Sequence, residues 1–264
     1  FDYDRDGLLD LFVTNIGRYT SDQTASATAN YPHHSFDEEY TYYVGLPDAF
    51  HGHRMPERRE RSVLYRNVGG NRFEDVTDET GLVDESWSGD ATAVDLNEDG
   101  WQDLYVINMQ GHDEYYENVE GRRFEKKSRE HFPATSWGAM GVKAFDYNND
   151  GLMDIYVTDM HTDMRRILGT DEEKAKMDSH MMKGDWMRTD GNHLHGNSFF
   201  RNEGDGRFTE VSDELNVENL WPWGLSVGDL NADGYQDIFV TASMNMRFRY
   251  AQNNLLLNDG GRVF

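Results

Sequence analysis

Short apolar runs recur along the chain, each about four residues long, β-branched or aromatic, and fenced by polar residues. They are Leu11-Phe12-Val13-Thr14, Leu104-Tyr105-Val106-Ile107, Ile155-Tyr156-Val157-Thr158 and Ile238-Phe239-Val240-Thr241. Runs of this length and composition predict buried strands rather than helices. A strand-like segment precedes the later runs, as at residues 91–94 and 141–145. A second pair of strand-like segments follows: Leu64-Tyr65-Arg66-Asn67 with residues 72–77, Tyr115-Tyr116-Glu117-Asn118 with 123–128, Phe199-Phe200-Arg201-Asn202 with 207–212, and a renewed start at Leu256-Leu257-Asn258 with 262–264. Gly-containing turns such as Gly204-Asp205-Gly206 join each pair, which predicts hairpins. The unit is therefore about four strands, repeated. Four-stranded repeats of this size predict the blades of a β-propeller, because a blade buries its faces only against neighbouring blades.

Between the first two strands of each unit lies an acidic loop of the form D-x-[DN]-x-D-G-x-x-D. The four copies begin at Asp2, Asp95, Asp146 and Asp229. Oxygen-bearing side chains at positions 1, 3 and 5 can converge on one hard cation. The glycine at position 6 allows the bend that turns the position-7 carbonyl inward, and the aspartate at position 9 closes the shell. The predicted ligands are Asp2, Asp4, Asp6, Leu8 and Asp10; Asp95, Asn97, Asp99, Trp101 and Asp103; Asp146, Asn148, Asp150, Leu152 and Asp154; and Asp229, Asn231, Asp233, Tyr235 and Asp237, with Leu8, Trp101, Leu152 and Tyr235 contributing backbone carbonyls. This donor set suits Ca²⁺, which takes six to eight oxygens at about 2.3–2.6 Å. About four ions are expected, one per loop. An EF-hand is excluded: its bidentate Glu at position 12 is replaced by Val13, Val106, Val157 and Val240, and strands follow instead of helices.

These loops, the aromatic-x-Asn…Gly…Phe hairpins and the lead-ins Ser136-Trp137-Gly138 and Trp221-Pro222-Trp223-Gly224 resemble FG-GAP/VCBS-type repeats. More narrowly, with residues 43–50 and 193–197, they resemble the propeller of the ASPIC/UnbV (cartilage acidic protein-like) type. The resemblance covers essentially the whole chain. It implies an integrin-α-like, all-β propeller domain over residues 1–264 with Ca²⁺ in its hairpins. It also implies that the four repeats are part of a larger ring of about seven blades, within the usual range of four to eight.

Composition narrows the class. With 37% hydrophobic and 13% aromatic residues, the chain is a folded β protein and not a disordered acidic tail. Its net charge is −24, and 13 carboxylates sit at loop ligand positions, so metal and fold should be linked. Four Ca²⁺ would bring the charge to −16, still unfavourable for nucleic acid and anionic membranes. No apolar run approaches the length of a membrane span. Weak calcium sites fill where the ion is near millimolar, so an extracellular, cell-surface or periplasmic protein is expected. The absence of cysteine excludes disulfides and leans towards a bacterial source.

The loop starts lie 93, 51 and 83 residues apart, so two insertions, at about 16–62 and 160–197, interrupt the regular spacing. The first holds Tyr40, Tyr42, Tyr43, His51, His53 and a basic run at 54–61. The second holds Met160, His161, Met164, Met177, His180, Met181, Met182, Met187, His193 and His195, with helical propensity at 171–178. Long excursions on a rigid scaffold are where binding and catalysis usually reside. The histidines and methionines are compatible with copper or zinc, but packing is the simpler reading. Internal pairing is likewise the simpler reading of the basic run, and Trp137, Trp221 and Trp223 read as inter-blade core. No nucleophile-base arrangement, H-E-x-x-H or phosphate-binding loop is legible. The expected function is a non-catalytic, calcium-stabilised propeller that binds a protein or surface polymer, in adhesion or scaffolding within a larger complex. The alternatives are a propeller hydrolase or lyase acting on an extracellular polymer, with Asp190, His193 and His195 as acid-base groups, and a structural subunit of a surface assembly.

Overall fold

The computed structural model describes residues 1–17, 60–109, 111–132, 134–160, 193–245 and 249–264, together with the strands Thr24–Ser26 and Thr41–Tyr43. It is an all-β protein, and its main body is four antiparallel sheets following one another along the chain. Sheet I consists of Leu11–Val13, Val63–Asn67 and Phe73–Asp75. Sheet II consists of Ser88–Val94, Asp103–Asn108, Glu114–Val119 and Arg123–Lys126. Sheet III consists of Ala139–Phe145, Asp154–Asp159, Ser198–Asn202 and Phe208–Glu210. Sheet IV consists of Pro222–Gly228, Asp237–Ala242 and Asn254–Leu256. In each sheet the strand after the acidic loop is one of the apolar runs read from the sequence. The inner strands of sheets II, III and IV carry a register shift near the same point, between Ser88 and Asp90, Ala139 and Gly141, and Pro222 and Leu225.

The sheets stack face to face, as propeller blades do, and the period-2 alternation of the apolar strand explains how. In sheet II, Leu104 and Val106 point into the cluster shared with Tyr3 and Leu64 of sheet I, whereas Tyr105 and Ile107 point into the cluster shared with Ile155 and Val157 of sheet III. In sheet III, Tyr156 turns the other way, with Phe145 and Phe199, to meet Ile238 and Val240 of sheet IV. A strand buried on both faces cannot alternate apolar with polar, and so reads as a continuous apolar run.

In sheets I and II the last hairpin strand ends in a short turn whose hydroxyl locks it down. The sequence reading extends the strand to residue 77. Instead Thr77 opens a one-turn helix, Thr77–Thr80, because its buried hydroxyl accepts the Leu64 N–H (3.0 Å) and its own N–H and hydroxyl donate to Asp75. Ser128 plays the same part in Ser128–His131, accepting the Tyr115 N–H at 2.9 Å. The core assignment of the tryptophans holds for Trp137, which is buried, but not for Trp223. Trp223 is 48% exposed because its strand borders a face of sheet IV that none of the described residues covers. Among the described residues no helix is long and apolar enough to cross a membrane.

Candidate functional site: four acidic loops at one end of the blades

All four loops adopt one conformation, set by the same backbone contacts. The position-1 aspartate accepts the N–H of the position-6 glycine: Gly7 to Asp2 (3.0 Å), Gly100 to Asp95 (2.8 Å), Gly151 to Asp146 (2.9 Å) and Gly234 to Asp229 (2.9 Å). The position-3 side chain, Asp4, Asn97, Asn148 or Asn231, accepts the N–H of position 5. The position-5 carboxylate accepts the N–H of position 7, at 2.8–2.9 Å in Asp6, Asp99, Asp150 and Asp233. Turning the chain this tightly needs left-handed backbone at position 6, where φ runs from 87° to 92° and glycine alone is comfortable. Position 4 is left-handed too, in Arg5, Glu98, Asn149 and Ala232.

The position-9 aspartate is buried and ties the loop to the rest of its blade. One oxygen accepts the N–H of position 2, and the other accepts the N–H of the hairpin asparagine: Asn67 to Asp10, Asn118 to Asp103, Asn202 to Asp154 and Asn258 to Asp237, all at 2.8–2.9 Å. Burial pushes the carboxyls of Asp103 and Asp154 up to about 7, against these donated hydrogen bonds. Burial also raises Asp4, with repulsion from Asp6, Asp10 and Asp2 adding to it.

The arrangement suits a cation on its own terms. Ligand oxygens of Asp2, Asp4 and Asp10 lie within 4.8 Å of one another. Asp2 Oδ1 and Asp95 Oδ1 are buried and have no hydrogen-bond partner among the described residues. A buried carboxylate oxygen left unpaired is costly, and a metal at the centre of the loop would satisfy it. The donors are all oxygens, as a hard cation requires. Position 3 is Asn in the last three loops, and its amide nitrogen reaches the position-5 carboxylate at 2.8–3.3 Å. In those loops the amide oxygen is the atom available to a metal.

The sequence reading noted the hairpin asparagine but gave it no task, and the structure supplies one. Its side-chain N–H groups reach back to the preceding blade. Asn118 donates to the Tyr3 carbonyl (2.9 Å), Asn202 to the Leu96 carbonyl (3.0 Å) and Asn258 to the Tyr147 carbonyl (2.8 Å), each acceptor being position 2 of the previous loop. Each also donates to its own loop, at Gln102, Met153 and Gln236. Adjacent loops touch directly as well: the Arg5 guanidinium lies over the Trp101 ring at 4.3 Å, and Asn149 donates to the Gly234 carbonyl.

The other candidate residues are not brought into this site. His193 and His195 are buried, and the His193 ring packs on His112 (4.5 Å) and Trp137 (5.0 Å), an arrangement of core packing. No set of three histidines or carboxylates converges there among the described residues. Arg61 pairs internally with Asp78 at 2.7 Å. Asp190, His161, Met164, Met177, His180, Met181, Met182, Met187, His51, His53, Tyr40 and the rest of the basic run lie outside the described residues, as do the side chains of Tyr42 and Tyr43.

The FG-GAP-like repeat family matches residues 95–157 and 186–240, and the FG-GAP repeat family matches residues 221–263. No curated protein matches the chain. The matched segments contain the second, third and fourth acidic loops with the apolar strands that follow them, and the first loop repeats the same bonds. The chain is an FG-GAP-repeat protein.

Proposed function

We propose that this chain is a calcium-stabilised, non-catalytic binding propeller working outside the cytoplasm, on a cell surface or in the periplasm, with one Ca²⁺ in each of its four loops. The observation that carries the reading is the unpartnered buried oxygens of Asp2 and Asp95 inside loops otherwise saturated with backbone hydrogen bonds. In each loop the position 1, 3, 5 and 9 side chains and the position-7 carbonyl would hold the ion, whose charge offsets the mutual repulsion of the carboxylates. Ligands of that number fill the coordination shell, so the ion's task is structural. FG-GAP domains often mediate protein binding, are typically non-enzymatic and are typical of extracellular proteins. The partner is thus a protein or a surface polymer, and the insertions at 16–62 and 160–197 are the segments with most freedom to meet it.

The test is a bound-metal count combined with thermal unfolding in calcium and in chelator. The reading expects about four Ca²⁺ per chain and a large fall in Tm in chelator, with Asp95→Asn binding one ion fewer. A chain that binds no calcium and melts identically in both buffers would sink it.

A further inference from the structure

The four loops share one backbone conformation, but they do not leave the same oxygens open. In the third and fourth loops the position-5 N–H donates to the position-1 carboxylate as well as to position 3: Asp150 to Asp146 Oδ1 and Asp233 to Asp229 Oδ1, both at 3.1 Å. In the first and second loops the N–H of Asp6 and of Asp99 donates to position 3. The position-1 oxygen left over there, Oδ1 of Asp2 or Asp95, is buried and has no hydrogen-bond partner among the described residues. The division does not follow chain position. The second and third loops each have a blade on either side, and they fall in different classes.

The position-3 side chain grades the loops further. In the third and fourth loops its amide closes on the position-5 carboxylate, Asn148 to Asp150 at 2.8 Å and Asn231 to Asp233 at 2.9 Å. In the second loop the same contact, Asn97 to Asp99, is looser at 3.3 Å. The first loop has no amide at that position. Asp4 gives it a fourth carboxylate beside Asp2, Asp6 and Asp10, and oxygens of Asp2, Asp4 and Asp10 lie within 4.8 Å of one another. These differences act in one direction. An ion entering the third or fourth loop must share oxygens already engaged by an N–H and an amide, and each bond so weakened counts against binding. An ion entering the first or second loop meets an oxygen that folding has already desolvated and left without a partner. The fourth carboxylate of the first loop adds attraction, and ligand charge is a main determinant of calcium affinity at all-oxygen sites.

We infer that the loops form two classes of calcium site that fill in order: the first and second loops tightly, with the first tightest, and the third and fourth weakly. The inference rests on the reading of the loops as calcium sites. Between the two affinities the loops of sheets I and II are loaded while those of sheets III and IV are empty. The segment 160–197 is inserted within sheet III, between the strands Asp154–Asp159 and Ser198–Asn202, so it belongs to the part of the chain whose sites respond in the upper calcium range. Calcium acts there as a graded signal, because an ion that binds only the folded loop stabilises it in proportion to its occupancy.

The experiment is a calcium titration of the full 264-residue chain, first stripped with chelator and then followed by calorimetry and flow dialysis, on the wild type and three variants. The wild type is expected to take up calcium in two steps of two ions, with affinities about tenfold or more apart. Asp4→Asn is expected to weaken one ion of the tight step by about tenfold and to leave the weak step unchanged. Asn148→Asp gives the third loop the carboxylates of the first and removes its closing amide, so one ion should move from the weak step to the tight one. Asp146→Asn should remove one ion from the weak step and none from the tight step. Circular dichroism at saturating calcium checks that each variant is folded, and the tight site gained by Asn148→Asp cannot arise from misfolding. Four ions bound with a single affinity overturn the inference and leave the calcium reading standing. So does an Asn148→Asp chain whose third loop stays weak, or an Asp146→Asn chain that loses a tight ion. A chain that binds no calcium overturns both.

Discussion

Replacing Asn202 by alanine removes three hydrogen bonds from one buried point between two blades. The side-chain amide donates to the Leu96 carbonyl of the preceding loop (3.0 Å) and the Met153 carbonyl of its own (3.2 Å), while its oxygen accepts the Gly204 N–H (3.0 Å). Asn202 is only 3% exposed, so water cannot easily replace it. At about 1 kcal/mol net per bond, and more for a carbonyl left buried without a donor, the loss comes to about 3 kcal/mol. For a chain of this size that corresponds to a fall in Tm of roughly 6–12 °C. Asn67 is the internal control, since it makes the same contacts to its own loop and turn but clasps no preceding blade. Asn67→Ala should cost less than about 1 kcal/mol, because its site is half exposed and water can replace the lost donor. Calorimetry or circular dichroism melts of the two variants at matched protein concentration give the comparison. Equal losses in the two variants, or an Asn202→Ala protein within about 0.5 kcal/mol of wild type, would refute the clasp as a stabilising contact between blades.

Three further outcomes follow from the same geometry. Asp103 and Asp154 have folded-state pKa values of about 7, above the ordinary carboxylate value, so the metal-free fold takes up protons on folding. The contribution of these two groups to its stability is then greatest below about pH 4 and is lost as pH rises to about 7, by about 4 kcal/mol per group. Urea midpoints in chelator across that range should show this slope, and Asp103→Asn should flatten it. Gly121→Ala combines left-handed backbone (φ 68°) with a Cβ 2.6 Å from the Trp101 ring, and should cost about 2–4 kcal/mol, whereas Gly70→Ala meets only the backbone term of about 1 kcal/mol; melting curves of the pair distinguish them. Asp113 is buried, with its carboxyl held well above the usual range by desolvation while it accepts from the Asn108 N–H and the Tyr105 hydroxyl. Asp113→Asn should therefore stabilise the fold more at pH 8 than at pH 5, read from Tm at the two values, and equal effects would show that the group is not protonated in the fold.

What the sequence made legible was whatever is local. The loops are readable because their bonds close within nine residues, as from Gly151 to Asp146 or Tyr147 to Asp154. The strands are readable because Leu104 to Ile107 or Ile155 to Val157 need only a period of two and a partner on each side. The asparagine clasps were hidden for the opposite reason. Asn118 meets Tyr3, Asn202 meets Leu96 and Asn258 meets Tyr147 at separations of 115, 106 and 111 residues, which no pattern of neighbours encodes. A recurring asparagine at a fixed offset after a hairpin strand was the available signal, since a polar residue at the end of an apolar strand must find partners when buried. Trp223 was misread because aromatic character announces burial only when another blade covers that face.

The clasp also explains why loop and blade should respond as one unit. The carboxylate that closes each loop at position 9 accepts the backbone N–H of the hairpin asparagine, and that asparagine's side chain holds the preceding loop by its position-2 carbonyl. The backbone of position 2 is in turn fixed by the preceding loop's own position-9 carboxylate, as in Tyr3 on Asp10, Leu96 on Asp103 and Tyr147 on Asp154. Hydrogen bonds therefore run without a break from Asp237 through Asn258 and Tyr147 to Asp154, from there through Asn202 and Leu96 to Asp103, and through Asn118 and Tyr3 to Asp10. In Asp103 and Asp154 the amide donors favour the charged form and desolvation opposes it, and desolvation wins. A cation bound in the loop, as proposed, would tip that balance back towards the carboxylate, and with it the bonds that join one blade to the next. Metal affinity and blade packing are on this account a single free energy, so a substitution at a clasp such as Asn118→Ala should weaken calcium binding at both loops it touches. Calcium titration of that variant measures the coupling directly, and unchanged affinities at all loops would show that the hydrogen-bonded series transmits nothing.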